Sequence, residues 1–311
     1  MNKLVNGLVV ATFSLFSTAA FAMLPAQGVE VTTEASYNGA NTGPSTVTDS
    51  NPGTALSTSR AGPGGPGIGN QGVAPQATLA TFDEAIATGR ALLPGTVGSY
   101  SHAGGFNPGF GPGPNGVSAT ASATQITHWM ASSDDPAQTT VDIDVAAFFD
   151  GTLLTSNFCC GASLYANVRA ELNAYDATGA SIYNFIATAE MNDATGFSSS
   201  ANWSGDFVSS YDPNSANNQA TVNYFEYFDD VFTVQVGEVF AWESTLSTEA
   251  FAEGAFELFA VADFLNTGDA TPEVNTAGAM LVQVPVPLPA SLPLIVVALG
   301  GLFRMRHKAI R

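Results

Sequence analysis

The chain has 311 residues, of which 27 are acidic and only 8 are lysine or arginine, giving a formal net charge of −19. Lys3, Arg304, Arg306, Lys308 and Arg311 sit at the two ends, so the body keeps only Arg60, Arg90 and Arg169 as bases. A surface of that sign repels phosphate backbones and anionic headgroups, which excludes nucleic acid as a partner.

The first 22 residues read as a signal peptide. Lys3 precedes an apolar run from Leu4 to Phe16, and Ala20-Phe21-Ala22 supplies the small-x-small pattern that signal peptidase accepts. Export would leave Met23 as the new N-terminus. Residues 23–76 are low in complexity and rich in Gly, Pro, Ser and Thr. One strand is expected at Val29–Tyr37, followed by the run AGPGGPGIGNQGVAPQ, where Gly and Pro predict a loop or linker without a ladder. Thr81–Leu93 fits either a short helix or a strand, and Gly104–Gly116 reads as a surface loop.

From Val117 the strand signal is steady. Leu164, Ala166, Val168, Ala170, Leu172 and Ala174 alternate with Tyr165, Asn167, Arg169, Glu171 and Asn173, a period of two that buries one face and wets the other. Asp176–Ala180 then turns the chain, and Tyr183, Phe185, Ala187, Ala189 and Met191 give the return strand its buried face. The same Asp-Ala-Thr-Gly cassette recurs at Asp193–Gly196, as a repeated turn or as an aspartate-based calcium loop. Further strands are expected at residues 121–130, 139–149 (ended by an Asp150-Gly151 turn), 220–228, 231–236, 238–248, 255–265 and 278–284. Many half-apolar strands without intervening helices predict an all-β fold over 77–284, an antiparallel β-sandwich of jelly-roll-like kind.

Chemistry is sparse. His102 and His128 are the only histidines of the body, with no nucleophile-elbow, zinc or phosphate-loop motif beside them, so no enzymatic activity is expected. His128 reads as a half-buried structural residue next to Trp129, and the carboxylates of Asp142 and Asp144 share one strand face without any sign of desolvation. Cys159 and Cys160 are adjacent and cannot staple distant strands; they could close a vicinal disulfide. Trp203 and Tyr211, in Asn- and Ser-rich surroundings, are candidates for stacking on sugar rings, as are Tyr224 and Tyr227 nearby. Asp206 and Asp212 could brace those loops through calcium, and no other cofactor is expected.

The last segment, 285–311, joins Val286-Pro287-Leu288-Pro289-Ala290 to an apolar run and then to Arg304, Arg306, Lys308 and Arg311. As a helix, Leu288–Phe303 would span about 24 Å, short of a hydrocarbon core of about 30 Å, and the basic cluster would stay cytoplasmic. This order of motif, short apolar helix and basic cluster resembles the VPLPA variant of the PEP-CTERM sorting signal. The resemblance covers about 26 residues, with Met305 and His307 interrupting what is usually a tighter arginine run. It implies recognition of Val286–Ala290 by an exosortase, an integral membrane protease and transpeptidase of Gram-negative bacteria. It further implies transient anchoring in the inner membrane, removal of the tail, and delivery to the cell surface or the exopolysaccharide matrix. The body is similar, more loosely, to the β-rich ectodomains found upstream of such signals. The expectation is an exported structural or adhesive surface protein, with carbohydrate binding as the alternative and a secreted hydrolase as a weaker one.

Overall fold

The computed structural model describes residues 24–37, 39–49, 54–62, 65–69, 84–93, 96–105, 116–157, 163–201, 208–212, 217–254 and 258–284. Among these no helix occurs. The strands in chain order are β1 (Gly28–Tyr37), β2 (Ala40–Asn41), β3 (Ser45–Asp49), β4 (Thr54–Gly62), β5 (Gly65–Gly69), β6 (Glu84–Leu92), β7 (Thr96–Gly105), β8 (Val117–Ser133) and β9 (Thr140–Asn157). They continue with β10 (Ser163–Tyr175), β11 (Ser181–Asn192), β12 (Gly196–Ala201), β13 (Val208–Asp212), β14 (Asn217–Gln235), β15 (Val239–Glu253), β16 (Leu258–Val274) and β17 (Ala279–Gln283).

The strands form two antiparallel sheets. One runs β12-β11-β10-β15-β8-β1-β2, with β3 also on β1 and β17 also on β8; the other runs β13-β14-β9-β16-β7-β6-β4-β5. The pairing is nested about one hairpin: β10 with β11, β9 with β14, β8 with β15, β7 with β16. The β10–β11 hairpin matches the alternation in the sequence. Its expected apolar set is buried, and Gly179 takes φ +82° in the turn.

The space between the sheets tapers. At one end Trp242, Phe185, Phe240 and Leu172 are fully buried, and Trp242 donates its indole N–H to the Ala270 carbonyl of the opposite sheet at 3.1 Å. At the other end the filling is mostly Ala, Ser, Thr and Gly, with the valines Val29, Val31 and Val97 among them. There Ser99 and Ser101 bond Thr248 at 2.7 and 2.9 Å, and Ser57 and Ser59 bond Thr33 at 2.8 and 2.9 Å, all buried. These hydroxyls satisfy one another, so the small residues let the sheets approach without stranding polar atoms. A Cβ on Gly89 would come within 2.5 Å of Val31 on the facing sheet.

Several expectations are corrected. The described part of the Gly/Pro run does form a ladder: Gly62↔Gly65, Ala61↔Pro66 and Arg60↔Gly67 pair in β4–β5, while residues 63–64 and 70–76 lie outside the described residues. Proline is tolerated there because β5 is an edge strand, whose outer side has no ladder bond to lose. Residues 28–69, expected as a low-complexity region ahead of the sandwich, thus place strands in both sheets. The ambiguous segment 81–93 is strand β6. Asp150-Gly151 is not a turn, since β9 runs through it; Gly151 instead accommodates Asp263 O and the Phe264 ring, each 2.4 Å from where a Cβ would lie. The runs at 220–228 and 231–236 are one strand, β14, with a register shift between Phe228 and Phe232.

Candidate functional site

Where side chains leave the nine-stranded sheet on its outer face, the register aligns residues remote in sequence. Thr32 of β1 faces Ser122 of β8, which faces Ser247 of β15; Ser247 faces Arg169 of β10, then Thr188 of β11 and Ser200 of β12. This is one straight row across six strands, hydroxyls with a single guanidinium near the middle. Ser122 and Ser247 are hydrogen-bonded at 2.9 Å, and Thr188 and Ser200 at 2.7 Å. Each pair still has lone pairs and, between them, one hydroxyl proton to offer outward.

The row forms the floor of a groove of about 630 Å³. A second hollow of about 430 Å³ lies on the same face toward β3, lined by Glu30, Thr48 and Thr124 among others. Flanking the row on one side, Glu34, Thr120, Glu249, Asn167, Glu190 and Ser198 stand in register. On the other side stand Glu30, Thr124, Thr245 and Glu171. The Arg169 guanidinium is ion-paired with Glu171. Glu249 is held by two donors, the Tyr165 hydroxyl and Asn167 Nδ2, the latter at 3.1 Å.

Tyr165 lies beside the groove and stacks on Phe251 with ring centroids 5.3 Å apart and planes 19° from parallel. Burial, then the hydrogen bond to Glu249 and the charges of Glu249 and Glu190, push its phenol well above the ordinary tyrosine range. It therefore remains a hydrogen-bond donor throughout the physiological range. Farther along the face, burial raises the Glu243 carboxyl above the usual range against hydrogen bonds from Tyr175 and Asn173, with Glu171 adding to the rise.

The residues singled out from sequence fall elsewhere. Trp203, Asp206, Cys159, Cys160, the Ala20–Ala22 site and the whole of 285–311 lie outside the described residues. Tyr211 and Asp212 belong to β13, at the edge of the eight-stranded sheet, so they are not part of this groove. Tyr224 and Tyr227 are on β14, also in that sheet. Asp142 accepts a hydrogen bond from Thr233 Oγ1 at 2.8 Å, while Asp144 is fully buried. The Asp176 carboxylate accepts from Thr178 N, Thr178 Oγ1 and Ala180 N, a self-contained turn whose bonds, led by the Thr178 hydroxyl, hold its pKa low. Asp193 Oδ1 takes the Leu164 amide instead, so both cassettes serve as turns. Among the described residues no group of three or more His, Cys, Asp or Glu could hold a metal ion.

His128 is buried where the segment before β1 crosses the outer face, and its Nε2–H donates to the Pro25 carbonyl at 2.8 Å. Its main-chain carbonyl also accepts the Val284 amide at 2.9 Å, so both flanking segments meet at this residue. Burial holds the imidazole pKa below the ordinary 6.5, and the Pro25 bond opposes this without reversing it. The unfolded chain therefore takes up the proton first as pH falls. Stability is full above pH 6.5 and declines as pH drops toward the folded-state value. His128→Gln, which keeps a donor for Pro25, is expected to remove this part of the slope. Thermal melts between pH 5 and 8 check it, and parallel curves for the two proteins would refute it.

No protein-family model matches the chain, and no curated protein sequence matches it. Among solved structures, the infectious bursal disease virus Gx strain structure is 10% identical over 89% of this chain and 73% of that chain, with a TM-score of 0.13. The structure of the Gt strain of the same virus is 12% identical over 89% and 72%, with a TM-score of 0.10. Likenesses this slight carry no argument about fold or function.

Proposed function

We propose that the chain is an exported cell-surface or extracellular-matrix protein, structural and adhesive in kind, which holds matrix polysaccharide on the outer face of its nine-stranded sheet. The observation that carries this reading is the groove floored by the row from Thr32 to Ser200. Aligned hydroxyls that both donate and accept, one guanidinium and a neighbouring aromatic pair are what a sugar polymer's hydroxyls and ring faces require. The nested pairing of β7–β16, β8–β15, β9–β14 and β10–β11 supports a jelly-roll winding for the body, one long antiparallel hairpin wrapped around a core.

Binding is tested with the extracellular polysaccharide of the producing cell. Saturable binding is expected, weakened about 10- to 100-fold by Arg169→Ala, as suits the loss of a charge-assisted hydrogen bond of about 1.5–3 kcal/mol. Equal binding by the variant and the parent would remove the groove from the proposal.

The route to the surface rests on the terminal sequences. In this reading signal peptidase cuts after Ala22, and an exosortase-type enzyme acts at Val286–Ala290 while Arg304, Arg306, Lys308 and Arg311 hold the tail in the inner membrane. Intact mass of the protein recovered from its host checks both steps. Termini near Met23 and at or just beyond Val286–Ala290 are expected, and a mass that retains Arg311 would contradict the sorting step.

A further inference from the structure

We infer that the groove takes an internal stretch of an uncharged polysaccharide, laid across the strands rather than along them. This rests on the polysaccharide reading above and adds the ligand's charge, its direction and its minimum length.

The direction follows from what a ligand would meet each way. Along β10 the outward positions run Asn167, Arg169, Glu171, and along β15 they run Glu243, Thr245, Ser247, Glu249, so carboxylates interrupt these two strands; β8 carries none, but its outward hydroxyls from Ser118 to Thr124 give way to Ile126 and His128. Across the strands, the row from Thr32 to Ser200 presents a hydroxyl at every step except Arg169. Neighbouring strands lie about 4.8 Å apart, so the row extends about 24 Å, the length of several sugar rings. It reaches β12, the last strand at that side of its sheet, and on the other side Thr46 of β3 continues it, bonded to Thr32 at 3.0 Å. No step of the row is a blocking side chain, so a chain can pass through rather than insert an end.

The charge follows from the flanks. Glu34, Glu249 and Glu190 line one side of the row, and Glu30 and Glu171 the other. These carboxylates oppose uronic, sulfated or phosphorylated polymers, and the one cation on the row is already ion-paired with Glu171. Arg169, its charge met by Glu171, leaves hydroxyls as the groups the row chiefly offers, and these match the hydroxyls of an uncharged polymer, which meets no repulsion from the flanks.

The test uses the purified protein and the host's own extracellular polysaccharide, separated by ion exchange into neutral, acidic and cationic pools, with size-graded partial hydrolysates of each. Calorimetry is expected to find binding in the neutral pool, little changed by salt. Affinity should rise over the first several sugar units and then level off. Ser122→Ala/Ser247→Ala is expected to weaken binding about tenfold. Thr188→Ala, on a different strand, weakens it as well, whereas Ser132→Ala, outside the row on β8, leaves it unchanged. Binding confined to the acidic or cationic pool, or affinity already complete with a mono- or disaccharide, overturns the inference and leaves the polysaccharide reading standing. Binding in none of the pools overturns both.

Discussion

Trp242→Ala is expected to lose about 5 kcal/mol of folding stability, the upper end for truncating a buried aromatic. The indole is fully buried, stacks on Tyr183 at 5.9 Å and on Phe232 at 6.4 Å, and holds the Ala270 carbonyl across the sandwich. Its removal opens a cavity at the wide end of the core, ends two ring contacts and takes the indole donor from the Ala270 carbonyl. Domains of this kind commonly have only about 5–15 kcal/mol in total, so the variant should be largely unfolded under mild denaturant. Trp242→Phe keeps ring contact and loses the hydrogen bond, and is expected to fall between. Urea titration followed by circular dichroism measures both, and a loss under about 1 kcal/mol for Trp242→Ala would contradict this packing.

Gly98→Ala and Gly151→Ala form the second large effect. β16 loses register between Phe264 and Gly268, and its irregular stretch leans on both neighbouring strands. A Cβ on Gly98 would lie 2.0 Å from Leu265 O, and one on Gly151 would lie 2.4 Å from Asp263 O. The obstacles are main-chain atoms in a three-strand ladder, so relief requires moving β16 itself. Each substitution is expected to cost about 3 kcal/mol, at the top of the usual range for overpacking. The double variant should cost at least the sum, because the two methyl groups press β16 from opposite neighbours and a shift that relieves one tightens the other. Gly237→Ala is the contrast: its φ is +84° but nothing lies within 4 Å, so only about 1 kcal/mol of backbone strain is expected. A Gly98→Ala protein as stable as Gly237→Ala would show that β16 is not held there.

What could be read from sequence was whatever depends on near neighbours. The β10–β11 hairpin was legible because its alternation and its Asp176–Gly179 turn occupy one continuous stretch. The strand β5 was not, because composition reports what a residue lacks, and only the position of Pro66 on a sheet edge makes that lack harmless. Gly151 was misread for a related reason. A glycine after aspartate signals a turn, and its use here, clearance for a strand more than a hundred residues later, leaves no local mark. The hydroxyl row was hidden most thoroughly. Each member is an ordinary polar residue on a wet strand face, and the row exists only once six strands are placed in order and register. Aromatic residues in Asn-rich loops were the visible cue for sugar binding, and those that can be placed belong to the other sheet.

The nested pairing also sets an order of events. β10 and β11 are neighbours in the chain and can meet at once, whereas β9 finds its partners only in β14 and β16, neither of which precedes it. β7, though joined early to β6, gains its second neighbour only with β16. Contacts between such distant segments form slowly, because the intervening chain must first give up its freedom. A chain released N-terminus first would therefore leave β9 unmatched until β14 (Asn217–Gln235) had followed, and one-sided until β16 (Leu258–Val274) had. On the export route proposed above, the delay would be useful: the two sheets could not close and jam a membrane pore before most of the body had crossed.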